Sequence, residues 1–274
     1  MRSEAHAVLE YPELLWPHGA PHARGSERHD VPALSAFLPE TPNGAAIVVF
    51  PGGGYGGRAD AHEGRDIGLW CAARGITAFV ARYRLAPYRH PVPLGDAQRA
   101  IRWVRANAVR YGLDSEKIGA IGFSAGGHLV STLITHFDDG DTSAADAVER
   151  AGCRPDFAVL GYPVISFDAN WTHGGSRSNL LGEDFTVEQA AALSNERNVT
   201  AQTPPTFLFH TNEDSGVPPE NSVEFYLALR RAGVPAELHI YERGGHGVGF
   251  APDDDILKSW PDRLEDWLRL RGAL

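Results

Sequence analysis

Short apolar runs alternate with amphipathic stretches along most of this chain. Runs of the length and composition of buried β-strands cover residues 31–38, 45–50, 76–81, 118–123, 157–160, 206–210 and 236–241. Stretches with helical periodicity cover residues 62–74, 96–111, 187–193, 219–232 and 256–271. Strands that alternate with helices form a parallel sheet, and such strands are buried on both sides. The pattern predicts an α/β fold, with a mostly parallel sheet of about eight strands and helices on both faces.

The stretch of residues 138–205 departs from this alternation. It contains one clear strand and a polar, aromatic segment with Trp171, His173 and Arg177. It is too long for a plain crossover between strands, so we expect a small lid inserted within a single domain of residues 1–274. Extra packing at the edge of the sheet is the alternative.

Composition narrows the possible partners. The 274 residues carry a formal net charge of −10, with 43% hydrophobic and 22% charged residues, as in ordinary globular proteins. This charge argues against nucleic acid and against an anionic membrane surface as partners. Cys71 and Cys153 are too few for a disulfide framework and are expected to be unpaired. The oligomeric state is not predicted.

Targeting signals are not apparent in the sequence. Residues 1–6 are not followed by an apolar core of signal-peptide length. No apolar run approaches the roughly 18 residues that a membrane span requires. The sequence therefore predicts a cytoplasmic protein, with a secretion signal already removed from the chain as the alternative.

The segment around Ser124 is the most informative in the sequence. A strand-like run ends in G-F-S-A-G at residues 122–126, and a helix is expected to follow. A sharp turn between a strand and a helix lifts a serine out of the regular backbone and needs glycines where neighbouring backbone comes close. Serine is a weak nucleophile unless a base lies beside it. The motif therefore predicts a nucleophilic Ser124, provided that the chain supplies a base.

Two later loops supply a candidate base and a candidate acid. His246 lies among glycines after the strand-like run 236–241, and Asp214 follows the run 206–210. The carboxyl ends of parallel strands meet at one edge of a sheet, so these side chains are expected to lie close to Ser124. The order serine, acid, histidine suits a Ser-His-Asp triad. Glu213 stays open as an alternative to Asp214.

A glycine run after another strand is the candidate oxyanion site. Backbone amides must stabilise the charge that develops on a carbonyl oxygen during acyl transfer. We expect the N–H of Ala125 to be one donor, and the loop 51–54 to supply others from Gly53 and Gly54. A phosphate-binding loop is the alternative, but the loop lacks the lysine and spacing that such loops use.

Several motifs together resemble the α/β-hydrolase esterase and lipase superfamily, in its acetyl-esterase and acetylxylan-esterase-like branch related to hormone-sensitive lipases. They are P-G-G-G-Y at 51–55, H-E-G at 62–64, Y-R-L at 83–85, H-P-x-P-L-x-D-A-x-R-A-I-R at 90–102, G-F-S-A-G-G-H-L at 122–129, S-N-L-L-G at 178–182 and G-G-H-G at 244–247. The resemblance implies an α/β-hydrolase fold and a serine carboxylesterase that acts on short acyl esters without a cofactor. Pro51 departs from the family's H-G-G-G pattern, so the support of this loop must differ.

Other candidate residues receive less specific interpretations. Tyr55, Trp171, His173 and Arg177 are predicted to bind substrate, on their positions in the chain alone. His62 and Glu63 are interpreted as capping or supporting groups and His128 as a structural residue. No metal site is expected, since the N-terminal histidines lack close spacing on a regular element.

Three functions remain possible from the sequence. The first is an esterase acting on acetylated sugars or xylan, so the expected partner is a small-molecule or oligosaccharide ester. The second is a serine peptidase or amidase, or a feruloyl or aryl esterase, of the same fold. The third is a binding protein that has lost catalysis, although no triad member is missing. Neither the preferred alcohol nor the preferred acyl group can be read from the sequence.

Overall fold

The structure, a computed structural model, describes residues 11–274. The prediction about residues 1–6 lies outside this range. Eight strands form one sheet in the order β1-β2-β4-β3-β5-β6-β7-β8. They are β1 Glu13–Leu14, β2 Ala33–Phe37, β3 Ala46–Phe50, β4 Thr77–Arg82, β5 Ile118–Phe123, β6 Phe157–Gly161, β7 Thr206–Thr211 and β8 Ala236–Tyr241. All neighbours from β4 to β8 pair in parallel, and β2 is antiparallel to both β1 and β4. The predicted mostly parallel sheet is confirmed.

The helices cover both faces of this sheet, as predicted. They are α1 Asp66–Ala72, α2 Val92–Ala106, α3 Ala108–Tyr111, α4 Ala125–Thr135, α5 Gly174–Leu181, α6 Val187–Ala192, α7 Glu220–Arg231 and α8 Trp260–Leu270. A π-helical turn, Asp60–Arg65, leads into α1, and 3-10 turns cover Asn195–Arg197 and Leu257–Ser259. The expected helix over 96–111 is two helices, since the backbone leaves helical geometry at Asn107. Helix α5 was not predicted because its glycine-rich sequence has no apolar stripe.

Alternate residues of the central strands feed two separate cores. On β3, Val48 belongs to the core cluster that includes side chains of α2, α4 and α7, while Ile47 belongs to a second cluster with side chains of α1 and α8. Successive strand residues point to opposite faces, so a strand buried on both sides needs an unbroken apolar sequence. This explains the continuous apolar runs in the sequence.

The predicted insertion, residues 138–205, is divided by strand β6 of the main sheet. Residues 138–156 are held against α2 by ion pairs of Arg99 with Asp146 and Glu149, of Arg102 with Asp138, and of Arg105 with Asp156. Residues 162–205 carry α5 and α6 and begin at the carboxyl end of β6. Only this second part starts at the edge of the sheet where the candidate site lies.

Two expectations from composition can be compared with the structure. Cys71 and Cys153 are buried and unpaired. Burial raises the pKa of the Cys71 thiol to about 12, so it is not an activated nucleophile. Within residues 11–274, none of the helices has the length and apolar character needed to cross a membrane.

A buried ion pair between Arg84 and Asp96 should matter for the stability of the fold. Arg84 and Asp96 are both buried, and Nε and Nη2 of Arg84 donate to the carboxylate of Asp96. We expect Asp96→Ala to lower the free energy of unfolding by about 3–5 kcal/mol, because the Arg84 charge would stay buried without its partner. Urea unfolding followed by tryptophan fluorescence measures this change.

The matched control is Asp184→Ala, which removes the exposed ion pair with Arg89. Exposed pairs contribute little, so a loss below about 1 kcal/mol is expected. Equal losses in the two variants would contradict the assigned role of the buried pair.

Candidate active site

Ser124 joins the end of β5 to the start of α4 in a strained backbone conformation. Its φ of 53° and ψ of −120° are rarely adopted by residues other than glycine. Backbone hydrogen bonds hold it there: its N–H donates to the Gly161 carbonyl at 3.0 Å, and its carbonyl accepts from the Val164 N–H at 3.0 Å. Gly161 is the last residue of β6 and Val164 lies three residues after it, so the neighbouring strand holds the turn in place.

The glycines beside Ser124 are required by close backbone contacts. A Cβ on Gly122 would lie 2.2 Å from the Gly126 carbonyl oxygen, and a Cβ on Gly126 would lie 2.0 Å from that of Phe50. Real Cβ atoms do not approach other atoms so closely. The G-x-S-x-G pattern therefore reflects the tight packing of β3, β5 and α4 at this point.

The three predicted triad residues form one hydrogen-bonded line. Ser124 Oγ lies 2.7 Å from His246 Nε2, and His246 Nδ1 lies 2.7 Å from Asp214 Oδ2. The carboxylate can only accept, so the proton between His246 and Asp214 sits on Nδ1. Nε2 is then free to accept the Ser124 hydroxyl proton, which is what a general base requires.

Asp214 is held as an ionised, oriented carboxylate. Its Oδ1 accepts from the N–H groups of Gly216 and Val217 at 3.0 and 2.8 Å. Burial alone would raise the pKa of Asp214, but hydrogen bonds from His210, His246 and Val217 outweigh it and hold the pKa well below its usual range. Glu213, the alternative acid, instead accepts from the Gly244 N–H at 3.2 Å. The geometry favours Asp214.

His210 is a buried partner of Asp214 that the sequence analysis missed. Its Nε2 lies 2.8 Å from the Val217 carbonyl and 3.4 Å from Asp214 Oδ2, and its Nδ1 lies 2.7 Å from Ser222 Oγ. The carbonyl can only accept, so Nε2 carries the proton and Ser222 donates to Nδ1. The spacing H-x-x-x-D at the end of β7 is the signal that could have pointed to it.

The glycine loop lies directly against the candidate nucleophile. A Cβ on Gly52 would lie 2.8 Å from Ser124 Cβ. The Gly52 N–H is already engaged, because it donates to Glu63 Oε2 at 2.7 Å. Gly53 has a φ of 130°, and Ala125 is the first residue of α4, where N–H groups lack helical acceptors. The predicted donors Gly53, Gly54 and Ala125 stay candidates.

Glu63 connects the glycine loop to the loop of His246. Its Oε1 accepts from the Tyr162 hydroxyl at 2.8 Å, and the same hydroxyl accepts from the Gly249 N–H at 3.0 Å. The Tyr162 ring lies 5.3 Å from that of His246. A single buried carboxylate thus fixes Gly52 and, through Tyr162, the segment that follows His246. The neighbouring His62 is half-exposed.

Two further contacts support the glycine loop from behind. The Tyr83 hydroxyl donates to the Pro51 carbonyl at 2.6 Å, and Asn179 Nδ2 donates to the Gly54 carbonyl at 2.8 Å. Both residues belong to motifs that the family resemblance singled out without a role. The loop therefore has its own supports where the hormone-sensitive-lipase pattern has histidine in place of Pro51.

Tyr55 corrects the predicted substrate-binding set. Its side chain is 1% exposed, and its hydroxyl lies 2.9 Å from His128 Nδ1 inside the core. His128 Nε2 lies 2.9 Å from the Leu193 carbonyl, and its ring stacks on Phe167 at 4.0 Å. Burial lowers the pKa of His128 to about 3, so this histidine is a neutral structural residue. A buried tyrosine in such a network does not face a substrate.

The other predicted binding residues lie in the segment 162–205. His173 caps α5 and is electrostatically close to His246, whereas Trp171 is half-buried two residues earlier. Arg177 is committed to its own segment, because Nη1 donates to the Phe167 carbonyl at 2.8 Å and the guanidinium lies 4.5 Å from the Phe185 ring centre. Of the predicted set, His173 is the residue whose pKa is affected by His246 and Asp214.

The sheet, the strained turn at Ser124 and the Ser-His-Asp line define an α/β hydrolase. The sequence model of the BD-FAE family matches residues 34–229, and the chain belongs to that family. The resemblance stated from sequence motifs is therefore confirmed.

Two curated relatives are similar over most of the chain. An acetylxylan esterase of Xylanibacter ruminicola is 36% identical over 86% of this chain, and endo-1,4-beta-xylanase B of Butyrivibrio fibrisolvens is 36% identical over 89%. The chain spans less than half of each relative, 48% and 39% of their lengths.

A solved structure resembles the chain over 96% of its length. An acetyl ester-xyloside bifunctional hydrolase from Caldicellulosiruptor lactoaceticus superposes with a TM-score of 0.90 and 45% identity, covering 96% of both chains. An esterase of Thermogutta terrifontis superposes with a TM-score of 0.73 and 29% identity, covering 89% of both chains.

The hydrogen bond between Asp214 and His246 gives a first prediction for this site. Asp214→Asn would present an amide N–H to Nδ1 and force the proton onto Nε2, which removes the base. We expect kcat for an aryl acetate to fall about 10⁴-fold at pH 7. Glu213→Gln is the matched control and should stay within about twofold; a larger loss in Glu213→Gln than in Asp214→Asn would reverse the choice of acid.

The Glu63 network gives a second prediction. Glu63→Gln has one accepting oxygen in place of two, so it can accept from the Gly52 N–H or from the Tyr162 hydroxyl but not from both. We expect kcat to fall about 10–100-fold with KM little changed, because losing one oxyanion donor outright costs roughly 10²–10³-fold. In the double variant Glu63→Gln/Tyr162→Phe, the loss in kcat should be smaller than the product of the losses in the two single variants. Strictly additive losses would show that the two residues act separately.

Proposed function

We propose that this chain hydrolyses esters of short carboxylic acids, acetyl esters above all, through an acyl-enzyme formed on Ser124. The observation that carries the proposal is the line from Ser124 Oγ through His246 to Asp214, with both hydrogen bonds at 2.7 Å. The Gly52–Gly54 loop lies beside this serine, as acyl transfer requires. The curated names of the relatives, acetylxylan esterase among them, support the same reaction.

The proposed cycle has two steps that use the same groups. His246 Nε2 takes the hydroxyl proton as Ser124 Oγ attacks the ester carbonyl, and the amides of Gly53, Gly54 and Ala125 stabilise the oxyanion. His246 then gives that proton to the leaving alcohol. Water attacks the acyl-serine, with its proton passing to His246 and then to Ser124, which releases the acid. Asp214 holds the imidazole and balances its charge throughout.

The proposed substrates are acetylated sugars or xylan fragments. The support is the activity named for the relatives and for the similar solved structure, together with the polar segment 162–205 that starts at the edge of the sheet where the site lies. We propose that this segment, the second part of the lid predicted over residues 138–205, acts as a lid over the site. Aryl or feruloyl esters and amides stay alternative substrates of the same mechanism.

The proposal is confined to ester cleavage, although the similar solved structure is named a bifunctional ester and xyloside hydrolase. Most glycosidases use two carboxyl groups that flank the scissile bond. Among residues 11–274, the buried carboxylates nearest in the hydrogen-bond pattern are Asp214, which accepts from His246, and Glu63, which accepts from the Gly52 N–H and the Tyr162 hydroxyl. Both are therefore engaged by protein groups.

The remaining predictions about partners and compartment stay predictions. They are the absence of nucleic acid and membrane partners, and a cytoplasmic location. The acidic net charge of −10 supports the first of these.

Removal of the nucleophile tests the proposal directly. We expect wild-type protein to hydrolyse p-nitrophenyl acetate and butyrate faster than longer acyl chains, and Ser124→Ala to lose about 10⁶-fold in kcat. A fluorophosphonate probe should label the wild type but not Ser124→Ala. Ser143→Ala, an exposed serine outside the site, is the control. Equal turnover by wild type and Ser124→Ala would refute the assignment.

A further inference from the structure

His173 is held in one orientation at the start of α5. Its Nδ1 accepts from the Ser176 N–H at 3.2 Å and lies 2.8 Å from Ser176 Oγ, which makes it the N-cap of the helix. Ser176 is fully buried, so this arrangement is shielded from water. The usual N-cap residues are aspartate, asparagine, serine and threonine, so histidine is not a typical choice at this position.

The cap fixes which ring nitrogen carries the proton. A backbone N–H can only donate, so Nδ1 must present its lone pair to Ser176. Burial, followed by the nearby His246, lowers the pKa of His173 and keeps the ring neutral near pH 7. A neutral ring with an unprotonated Nδ1 carries its hydrogen on Nε2. Within the part of the chain that the structure describes, Nε2 has no hydrogen-bond partner.

The ring of His173 lies beside the candidate oxyanion loop and interacts electrostatically with the candidate base. A Cβ on Gly54 would lie 3.8 Å from His173 Cε1, and Asn179 of the same helix donates to the Gly54 carbonyl. The effect of His246 on the pKa of His173 shows that the two rings interact electrostatically. Because His246 would give its proton to the leaving alcohol, a donor close to both His246 and Gly54 is within reach of the alcohol part of an ester.

We propose that His173 Nε2–H donates a hydrogen bond to a hydroxyl or ring oxygen adjacent to the esterified carbon, and so selects acetyl esters of polyhydroxylated alcohols. This inference rests on the proposed ester hydrolysis and goes further by naming the residue that recognises the alcohol part of the substrate. An ester of a plain alkyl alcohol has no oxygen to accept this bond. With such a substrate the transition state does not gain this hydrogen bond, so the ester of the polyhydroxylated alcohol reacts faster.

Two variants separate the donor from the cap. His173→Asn keeps a side-chain acceptor for Ser176 N–H but is too short to place a donor at the position of Nε2. His173→Gln places an amide N–H near the position of Nε2 but loses the ring nitrogen that accepts from Ser176. Thermal unfolding of both variants checks that they fold.

The substrates are an acetylated methyl xyloside and cyclohexyl acetate, which share the acyl group and a secondary ring alcohol. Wild-type kcat/KM should favour the xyloside ester. In His173→Asn this preference should fall about tenfold, through loss on the xyloside ester alone. In His173→Gln most of the preference should remain.

Several results would overturn the inference. They are an unchanged preference in His173→Asn, an equal loss on both esters, or a preference in His173→Gln as low as in His173→Asn. A wild type that cleaves both esters equally would also refute it, while leaving the proposed esterase in place. A wild type that cleaves neither these esters nor p-nitrophenyl acetate would refute the proposed function itself.

Discussion

The close approach of three backbone segments at Ser124 is the constraint on which the site depends. Ser124 follows strand β5, and Gly126 lies against the carbonyl of Phe50 at the end of strand β3. The Gly161 carbonyl at the end of strand β6 accepts a hydrogen bond from the Ser124 N–H. These contacts hold a φ of 53° that an isolated peptide would leave. The rigid centre of the sheet therefore maintains the strain, and the hydroxyl projects where His246 can reach it.

The loops around this serine are joined to one another as well as to the sheet. Glu63 and Tyr162 connect the glycine loop to the histidine loop, and His210 fixes the acid that orients His246. Each of these groups is buried and hydrogen-bonded, so the loops cannot move independently without leaving a polar atom unsatisfied. This is how flexible glycine-rich segments can still hold a precise arrangement of donors.

Much of the fold and of the candidate site could be predicted from local sequence patterns. The apolar runs predicted the central strands because a strand buried on both faces has an unbroken apolar sequence. The glycines of G-F-S-A-G marked the turn, and the order of Ser124, Asp214 and His246 pointed to their shared edge. The short helix α5 was missed, since its stability comes from the His173 cap and from contacts with the glycine loop rather than from periodicity.

The sequence by itself determined the fold class, the nucleophile turn and the order of the candidate triad, because these depend on residue types at fixed local spacings. Only the tertiary structure decided which polar residues meet. It placed Tyr55 in the core, chose Asp214 over Glu213 by its contact with His246, and brought Glu63 and Tyr162 together across 99 residues. Such pairings depend on how strands stack side by side, which no local spacing encodes.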